Sequence, residues 1–153
     1  MSGSDRIEKE VVLKAPRSRV WQAIGDSKEF GSWFNAVLEG PFEPGETLHG
    51  TITEPGWEGT SFLVFVERVE PERHLSFRWH PQALDAGKDH VSEPTTLVSF
   101  ELEDAPGGGT RLRIVESGFD ALPADRREDA RRENEQGWTI QAERIAKYVA
   151  EKG

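Results

Sequence analysis

The chain of 153 residues carries 28 acidic and 19 basic residues, for a formal net charge of −9. This balance argues against nucleic acid or an anionic membrane as a partner, because neither would be attracted. The sequence has no cysteine, which excludes disulfides, thiol nucleophiles and thiolate metal sites. No apolar run is long enough to span a membrane, and the N-terminus lacks the apolar core of a secretory signal. We therefore expect one cytoplasmic domain over residues 1–153.

The N-terminal quarter of the chain predicts a strand followed by two short helices. Residues 7–14 alternate partly and are rich in β-branched side chains, as in a strand. Pro16 suits the first position of a helix, which we predict over residues 17–25. Asp26 and Glu29 have the spacing of a capping box. It would open a second helical turn with the aromatic residues Phe30, Trp33 and Phe34.

Five further β runs are predicted at residues 47–54, 60–70, 73–80, 95–103 and 110–118. The run 60–70 is apolar on both faces and so indicates a central strand. Short hairpin connections make the order an antiparallel meander, in which glycines 107–109 form a turn. Residues 81–94 are the exception, since fourteen residues exceed what a hairpin needs. Such a loop is typical either of a functional lid or of a flexible connection.

Residues 126–151 predict one long closing helix, with Asp125 as its N-cap and Glu128 completing a second capping box. Its apolar residues form one stripe: Ala130, Trp138, Ala142, Ile145 and Val149. Asn134 and Gln141 lie on the same stripe, about one turn either side of Trp138. They would bond to backbone or water, or would face a partly polar cavity under the helix.

This element order predicts an α+β fold, a curved antiparallel sheet with its helices on one side. Four phrases resemble a known superfamily in order and spacing: Ala15-Pro16-x-x-x-Val20-Trp21-x-Ala23-Ile24, Val69-x-Pro71-x-Arg73-x-Leu75-x-Phe77-x-Trp79, Gly109-Thr110-x-Leu112-x-Ile114-x-Glu116-Ser117-Gly118-Phe119 and Gly137-Trp138. On these phrases the chain resembles the START-like (SRPBCC) superfamily. Within it, the chain resembles the AHSA group, named after the activator of the heat-shock chaperone ATPase. The resemblance implies a helix-grip fold, in which the sheet wraps the C-terminal helix.

The resemblance also implies a cavity between the concave face of the sheet and the last helix. Strand alternation independently turns Phe77, Trp79 and Glu116 inward. With the polar residues of the helix stripe, the predicted ligand-binding residues are Trp33, Phe34, Phe77, Trp79, Glu116, Phe119, Asn134, Trp138 and Gln141. Three tryptophans that converge with a few polar groups are typical of a binding pocket, although each one alone is better explained as a core residue.

Glu116 is the residue with the most distinctive chemistry, because a carboxylate that continues an apolar strand face is costly to bury unless it is paired. It would bind a ligand or act as a general acid or base; an ion pair with an arginine, or a strand end in solvent, would explain it as well. No spacing of the four histidines predicts a metal site, and the cluster of His80, His90 and nearby acids around residues 81–94 is better explained as a solvated loop. We assign no catalytic residue, no metal and no cofactor.

The sequence thus favours a protein that binds a small apolar or aromatic molecule, with residues 81–94 covering the entrance. Two alternatives stay open: a chaperone-regulating domain linked to the stress response, and a hydrolase or cyclase that uses Glu116. Self-association as a homodimer stays open too. The resemblance leaves the ligand unidentified, since one fold hosts many functions.

Overall fold

The computed structural model of the protein describes residues 6–56, 58–80 and 95–152. In these residues seven strands form one antiparallel sheet in the order β1-β7-β6-β5-β4-β3-β2. The strands are β1 (Arg6–Leu13), β2 (Ala36–Glu39), β3 (Thr47–Ile52), β4 (Ser61–Glu70), β5 (His74–Trp79), β6 (Thr96–Asp104) and β7 (Thr110–Ser117). Strands β2 to β7 form a meander, and β1 pairs with the last of them. The predicted α+β architecture is confirmed.

Three helices complete the described fold: α1 (Arg17–Gly25), α2 (Ser27–Phe34) and α3 (Ala124–Lys152). The first two connect β1 with β2, so the chain crosses from one edge of the sheet to the other through them. Helix α3 follows β7 after a 3-10 turn at Phe119–Ala121. Its 29 residues make a rod of roughly 43 Å. None of the described helices is both long and apolar enough to cross a membrane.

The predicted caps of the helices are partly wrong. Helix α3 begins at Ala124, and the Pro123 carbonyl accepts its first hydrogen bonds. Asp125 therefore lies inside the first turn, where its charge still suits the helix dipole. The proline fixes the start, because its ring presets a helical φ and it has no N–H to satisfy. Similarly, Pro16 precedes α1 as its N-cap instead of occupying its first position.

The capping box at α2 is half formed. The Asp26 carboxylate accepts hydrogen bonds from the backbone N–H groups of Lys28 and Glu29, at 2.9 and 3.2 Å. The Glu29 side chain does not return to the Asp26 N–H, which bonds instead to Gln22. Glu29 accepts hydrogen bonds from Arg19 and Tyr148, at 2.9 and 3.0 Å, and so ties α2 to both other helices.

Strand β2 is an element that the sequence analysis did not predict. It has only four residues, and it follows directly on Asn35, which ends α2 in the left-handed conformation with φ of 65°. Asparagine tolerates this conformation better than most residues, so the chain reverses at once from helix to strand. The run is too short for its alternation to predict a strand.

The core lies between the sheet and the three helices. The inward faces of the central strands are buried, as the predicted alternation requires: Leu75, Phe77, Val98, Phe100, Leu112 and Ile114. Four residues of the predicted α3 stripe are buried against them, namely Ala130, Trp138, Ile145 and Val149, and Ala142 is half-buried. A register shift between Val66 and Arg68 interrupts the pairing of β4 with β5, and such bulges bend a strand.

Candidate functional site

The centre of the site is Glu116 at the end of β7, which is 0% exposed. One carboxylate oxygen, Oε2, accepts hydrogen bonds from Trp79 Nε1 at 2.8 Å and Thr96 Oγ1 at 2.5 Å. The other, Oε1, accepts from Trp138 Nε1 at 2.8 Å. Asn134 Nδ2 lies 3.0 and 3.1 Å from the two oxygens. We call these five residues the Glu116 network.

Local sequence explains why these five side chains meet. Glu116 continues the inward face of β7 after Leu112 and Ile114, since alternate residues of a strand share a face. Trp79 and Thr96 are directly paired across β5 and β6, at the same end of the sheet. Asn134 and Trp138 are four residues apart and therefore lie on one face of α3. The network thus joins three strands to the helix.

All four described partners of Glu116 are uncharged, and this determines the chemistry of the group. The two indoles and the amide nitrogen can only donate hydrogen bonds, and an ionised carboxylate can only accept them. The partners therefore suit the ionised form. The ion pair with an arginine that the sequence left open is absent from the described residues, and full burial rules out a strand end in solvent. Burying such a charge is costly unless its acceptor capacity is filled, as it is here.

Aromatic rings surround the network. The rings of Trp79 and Trp138 are stacked, with centroids 5.6 Å apart. Phe34 lies 5.9 Å from Trp79 and 6.2 Å from Trp138, and Phe77 lies 5.6 Å from Trp79. Such pairs contribute about 0.5–1.5 kcal/mol each beyond their buried area. These aromatic side chains thus line the space beneath α3 that the sequence predicts as a cavity.

The predicted site residues divide by burial into two layers. Six are buried: Trp33, Phe34, Phe77, Glu116, Phe119 and Trp138. The other three, Trp79, Asn134 and Gln141, are half-buried, and so are two neighbours that the sequence analysis did not include, Phe62 and Gly137. We call these five half-buried residues the entrance site: Phe62, Trp79, Asn134, Gly137 and Gln141. It is the part of the site that is partly exposed to solvent.

Gly137 leaves space in the middle of α3. A Cβ atom built there meets no described atom within 4 Å. Gly137 lies four and seven residues before Gln141 and Arg144, so all three share one flank of the helix. Gln141 Nε2 donates to the Phe34 carbonyl at 3.4 Å and Arg144 Nη2 donates to Glu54 at 2.5 Å, so this flank faces α2 and the β3–β4 connection. A glycine inside a helix costs about 0.5–1 kcal/mol relative to alanine, and this one adds open space to the entrance site.

A second glycine, Gly50, positions Phe62. The two residues are paired across β3 and β4, and a Cβ atom on Gly50 would lie only 2.4 Å from the Phe62 ring. The ring therefore lies over the glycine, where any side chain would displace it. From there Phe62 contacts Trp79, with ring centroids 6.4 Å apart, and Phe34 at 6.5 Å.

A second carboxylate, Glu54, holds the other end of the entrance site. It accepts hydrogen bonds from Asn35, at the end of α2, and from Arg144 on α3. The hydrogen bond from Arg144, followed by that from Asn35, holds the pKa of Glu54 below its usual value. About a third of each side chain of the Glu54–Arg144 pair is exposed, so this contact is ionic and reaches solvent.

Two of the predicted residues, Trp33 and Phe119, contact neither the Glu116 carboxylate nor its four partners through a hydrogen bond and lie in the core. Trp33 Nε1 donates to the Ala23 carbonyl at 2.8 Å, and its ring packs on Phe30 and Phe34 of its own helix. Phe119 is fully buried in the 3-10 turn between β7 and α3. Both are core residues that support the site from behind.

The sequence analysis did not include Thr96, Phe62 and Gly137 among the site residues. Thr96 lies on the inward face of β6, two residues before Val98, and the same alternation that places Val98 inward would have found it. The sequence predicted a strand around Phe62, but nothing in that strand marks Phe62 as a site residue. The informative residue is Gly50 in the neighbouring strand, and its relation to Phe62 is recognised only when the β3–β4 pairing is known.

The described residues contain no group of three or more histidines and acids that could hold a metal ion. His49 and His74 pair with glutamates of neighbouring strands, at 3.0 Å from Glu39 and 3.9 Å from Glu101. The predicted covering role of residues 81–94 lies outside the described residues, as does most of the acid and histidine cluster around them. A separate groove of about 340 Å³ between α2 and β2 contains none of the predicted site residues.

A sheet that wraps a long C-terminal helix, with polar and aromatic groups between them, defines the class of this protein as a START-like helix-grip domain. The model of the family described as Activator of Hsp90 ATPase homolog 1-like protein matches residues 14–150. The chain therefore belongs to this family, and the predicted resemblance is confirmed. Family membership supports a ligand-binding domain in general. No curated protein is significantly similar to the chain in sequence.

Solved structures confirm the fold. Protein MLL2253 from Mesorhizobium loti is 22% identical, with a TM-score of 0.75 over 97% of this chain and 98% of its own. A protein from Arthrobacter aurescens is 19% identical, with a TM-score of 0.80 over 99% and 89%. DynU16, a putative protein in the dynemicin biosynthetic locus, is 24% identical, with a TM-score of 0.70 over 95% of this chain and 47% of its own, so this chain spans about half of that protein.

Proposed function

We propose that this protein binds a small apolar or aromatic molecule at the entrance site, against the rings that surround the Glu116 network. The ligand would lie between α3 and the ends of β4 and β5. The buried rings of Phe34 and Trp138 would form the floor, and Phe62 and Trp79 would supply contact area. The Glu116 network would fix the positions of Trp79 and Asn134 for a ligand to meet.

The observation that carries the proposal is the open space at Gly137 beside half-buried aromatic rings. A tightly packed interface between helix and sheet does not require a glycine on this flank of α3. Almost any other residue at position 137 would stabilise the helix more. The half-buried Trp79 stacks on Trp138, the residue that follows Gly137, and Phe62 contacts Trp79 in turn. Together they offer the combination that small-molecule sites share, an apolar surface with a few fixed polar groups.

Glu116 has an organising role in this proposal. Both of its oxygens already accept hydrogen bonds from the four partners, which leaves it poorly placed to accept a further proton from a substrate. Binding therefore fits the geometry better than acid or base catalysis. DynU16 is described as a putative protein in a biosynthetic locus, and a small-molecule ligand for the present protein is compatible with that setting.

No observation favours the chaperone-regulating alternative to the same degree. Large exposed apolar side chains among the described residues are Val12, Val37 and Ile140, which lie on three different elements. They do not make a contiguous patch of the kind that marks a protein interface. A cytoplasmic location and a homodimer stay predictions.

The test is a ligand screen read by tryptophan fluorescence and melting temperature, with flavonoids, fatty acids, sterols and aromatic acids. A ligand at 100 times its Kd adds about 2.7 kcal/mol of stability, so a true ligand raises the melting temperature as it quenches fluorescence. Gly137→Leu should fill the entrance site and abolish binding. Gln136→Leu, the same new side chain at an exposed neighbouring position, should bind as the unaltered protein does. Silence across the panel, or equal binding by both variants, would overturn the proposal.

A further inference from the structure

We propose that the ligand is a flat aromatic molecule with hydrogen-bond donors, such as phenolic hydroxyls, at its two ends. Asn134 Oδ1 and Gln141 Oε1 would accept these donors. This inference rests on the proposed function, because it names the chemical class that the entrance site would take.

The two side-chain amides have defined orientations. Asn134 faces a carboxylate and Gln141 faces the Phe34 carbonyl, and both of these neighbours are acceptors. Each amide must therefore direct its nitrogen at its neighbour, which fixes where its oxygen is. The two oxygens are left for other partners.

These two oxygens accept no hydrogen bond from the described residues. Gln141 Oε1 is buried and has no hydrogen-bond partner. Asn134 donates both of its hydrogen bonds through Nδ2, and none of those between described residues reaches its Oδ1. A buried acceptor without a donor is uncommon in folded proteins and costs free energy. A donor brought by a ligand would remove that cost.

The two amides lie about two turns apart along α3. Asn134 and Gln141 are seven residues apart, which is about two helical turns or roughly 10 Å along α3. Trp138 and Gly137 lie between them on the helix; the Trp138 ring is buried beneath, and Gly137 leaves the flank beside it without a side chain. A ligand that reaches both oxygens must therefore pass along this bare stretch, with its donors near opposite ends.

The aromatic residues of the entrance site favour an aromatic ligand as the carrier of these donors. Trp79 and Phe62 are half-buried with ring centroids 6.4 Å apart, and both contact the buried Phe34 ring. Rings in such a group offer faces and edges for further aromatic contact. A flat aromatic frame uses that surface, and a site with unfilled acceptors discriminates strongly against analogues that lack the matching donors.

The experiment uses two rigid probes, 4,4′-dihydroxybiphenyl and 4-hydroxybiphenyl, which differ by one terminal hydroxyl. Calorimetric titration of the unaltered protein should give a Kd about tenfold lower for the diol, since one well-placed hydrogen bond to a buried acceptor is of that order. In Gln141→Met, which has similar length but no acceptor oxygen, the two probes should bind within about twofold of each other. Gln136→Met, the same change at an exposed glutamine, should keep the tenfold difference.

The outcomes separate this inference from the proposed function. Equal binding of the two probes to the unaltered protein would overturn the assignment of donor-bearing ligands and leave the proposed function standing. A diol preference that survives in Gln141→Met would overturn the role of Gln141 in the same way. Absence of binding by either probe, together with silence in the wider screen, would overturn both. Melting curves of each variant establish that it is folded before its titration is interpreted.

Discussion

Two of the carboxylates that connect α3 to the rest of the molecule, Glu116 and Glu54, do so by opposite means. Glu116 is fully buried and accepts hydrogen bonds from four uncharged side chains. Glu54 is partly exposed and is held by the charged Arg144 and by Asn35. The first anchor is shielded from solvent, so dissolved salt screens it little. The second is ionic and partly exposed, so its strength depends on salt and on pH.

This difference explains how one helix can be both fixed and accessible. The entrance site lies along α3 between the two anchors, with Asn134 bound to Glu116 at one end and Arg144 bound to Glu54 beyond the other. The Glu116 network sets the geometry of the floor, and the Glu54 contact limits how far the adjoining loop stands from the helix. The predictions below separate the two anchors by magnitude and by sensitivity to solvent.

The largest effect is expected for Glu116→Gln. The change places an NH₂ group where an oxygen now accepts hydrogen bonds, so at least one indole donor loses its acceptor and a second donor opposes it. Each unsatisfied buried group costs about 1–3 kcal/mol, and we expect a total loss of about 3 kcal/mol in the free energy of unfolding. Urea denaturation measures it. Glu103→Gln, at an exposed site on β6, should change stability by less than about 0.5 kcal/mol; similar losses in both variants would contradict the account.

The next effect compares two indole N–H groups. Trp138→Phe removes a donor to a carboxylate, and Trp33→Phe removes a donor to the Ala23 carbonyl. Hydrogen bonds to charged groups contribute about 1.5–3 kcal/mol and neutral ones about 0.5–1.5, so the first variant should lose more stability. Both variants lose the same ring volume from buried sites, so the difference between their unfolding free energies isolates the acceptor. A larger loss at Trp33 would show that the Glu116 network is not the stronger anchor.

A smaller effect of opposite sign is expected for Gly137→Ala. The added methyl group meets no described atom, and alanine is the better helix former, so stability should rise by about 0.5–1 kcal/mol. The measurement is the urea midpoint at constant m-value. A loss of stability would mean that the space at Gly137 is closed.

The smallest effect is expected at the Glu54 anchor. A double-mutant cycle of Glu54→Gln and Arg144→Met should give a coupling of about 0.2–1 kcal/mol, reduced at high salt. Because the folded-state pKa of Glu54 lies below its ordinary value of 4.5, the coupling is fully present above about pH 4.5 and is lost as the pH falls through the folded-state pKa. Thermal melts at pH 7 and at pH 3 measure this change. A coupling that grows on acidification would contradict the assignment.

Much of the fold could be predicted from the sequence, because the informative signals are local. Strand alternation placed Glu116 inward, and the helix stripe placed Asn134, Trp138 and Gln141 on the face of α3 that meets the sheet. The helix over Arg17–Gly25 was predicted with correct bounds. The predicted N-cap of α3, Asp125, lies two residues after Pro123, which sets the actual start. Strand β2 was not predicted, because four residues are too few to show an alternating pattern.

The site itself could be predicted only in part, because its chemistry depends on contacts between distant segments. Alternation within β6 could have placed Thr96 inward, but its contact with Glu116 and the position of Phe62 over Gly50 depend on the register of neighbouring strands, which periodicity alone does not fix. The sequence also could not show that the partners of Glu116 are uncharged, since arginines are common in the chain. Nor could it show which of the predicted residues are buried and which are half-buried in the entrance site.

The most direct test of the central claim is a ligand titration followed through the indole N–H signals of the five tryptophans by ¹H–¹⁵N NMR, assigned with single Trp→Phe variants. The account predicts that a ligand found in the screen shifts the signals of Trp79 and Trp138, which lie at the entrance site and beneath it. The signals of Trp21, on α1, and of Trp33, bound to Ala23, should stay in place. Saturation that moves Trp21 and leaves Trp79 and Trp138 unchanged would place the ligand elsewhere and contradict the account.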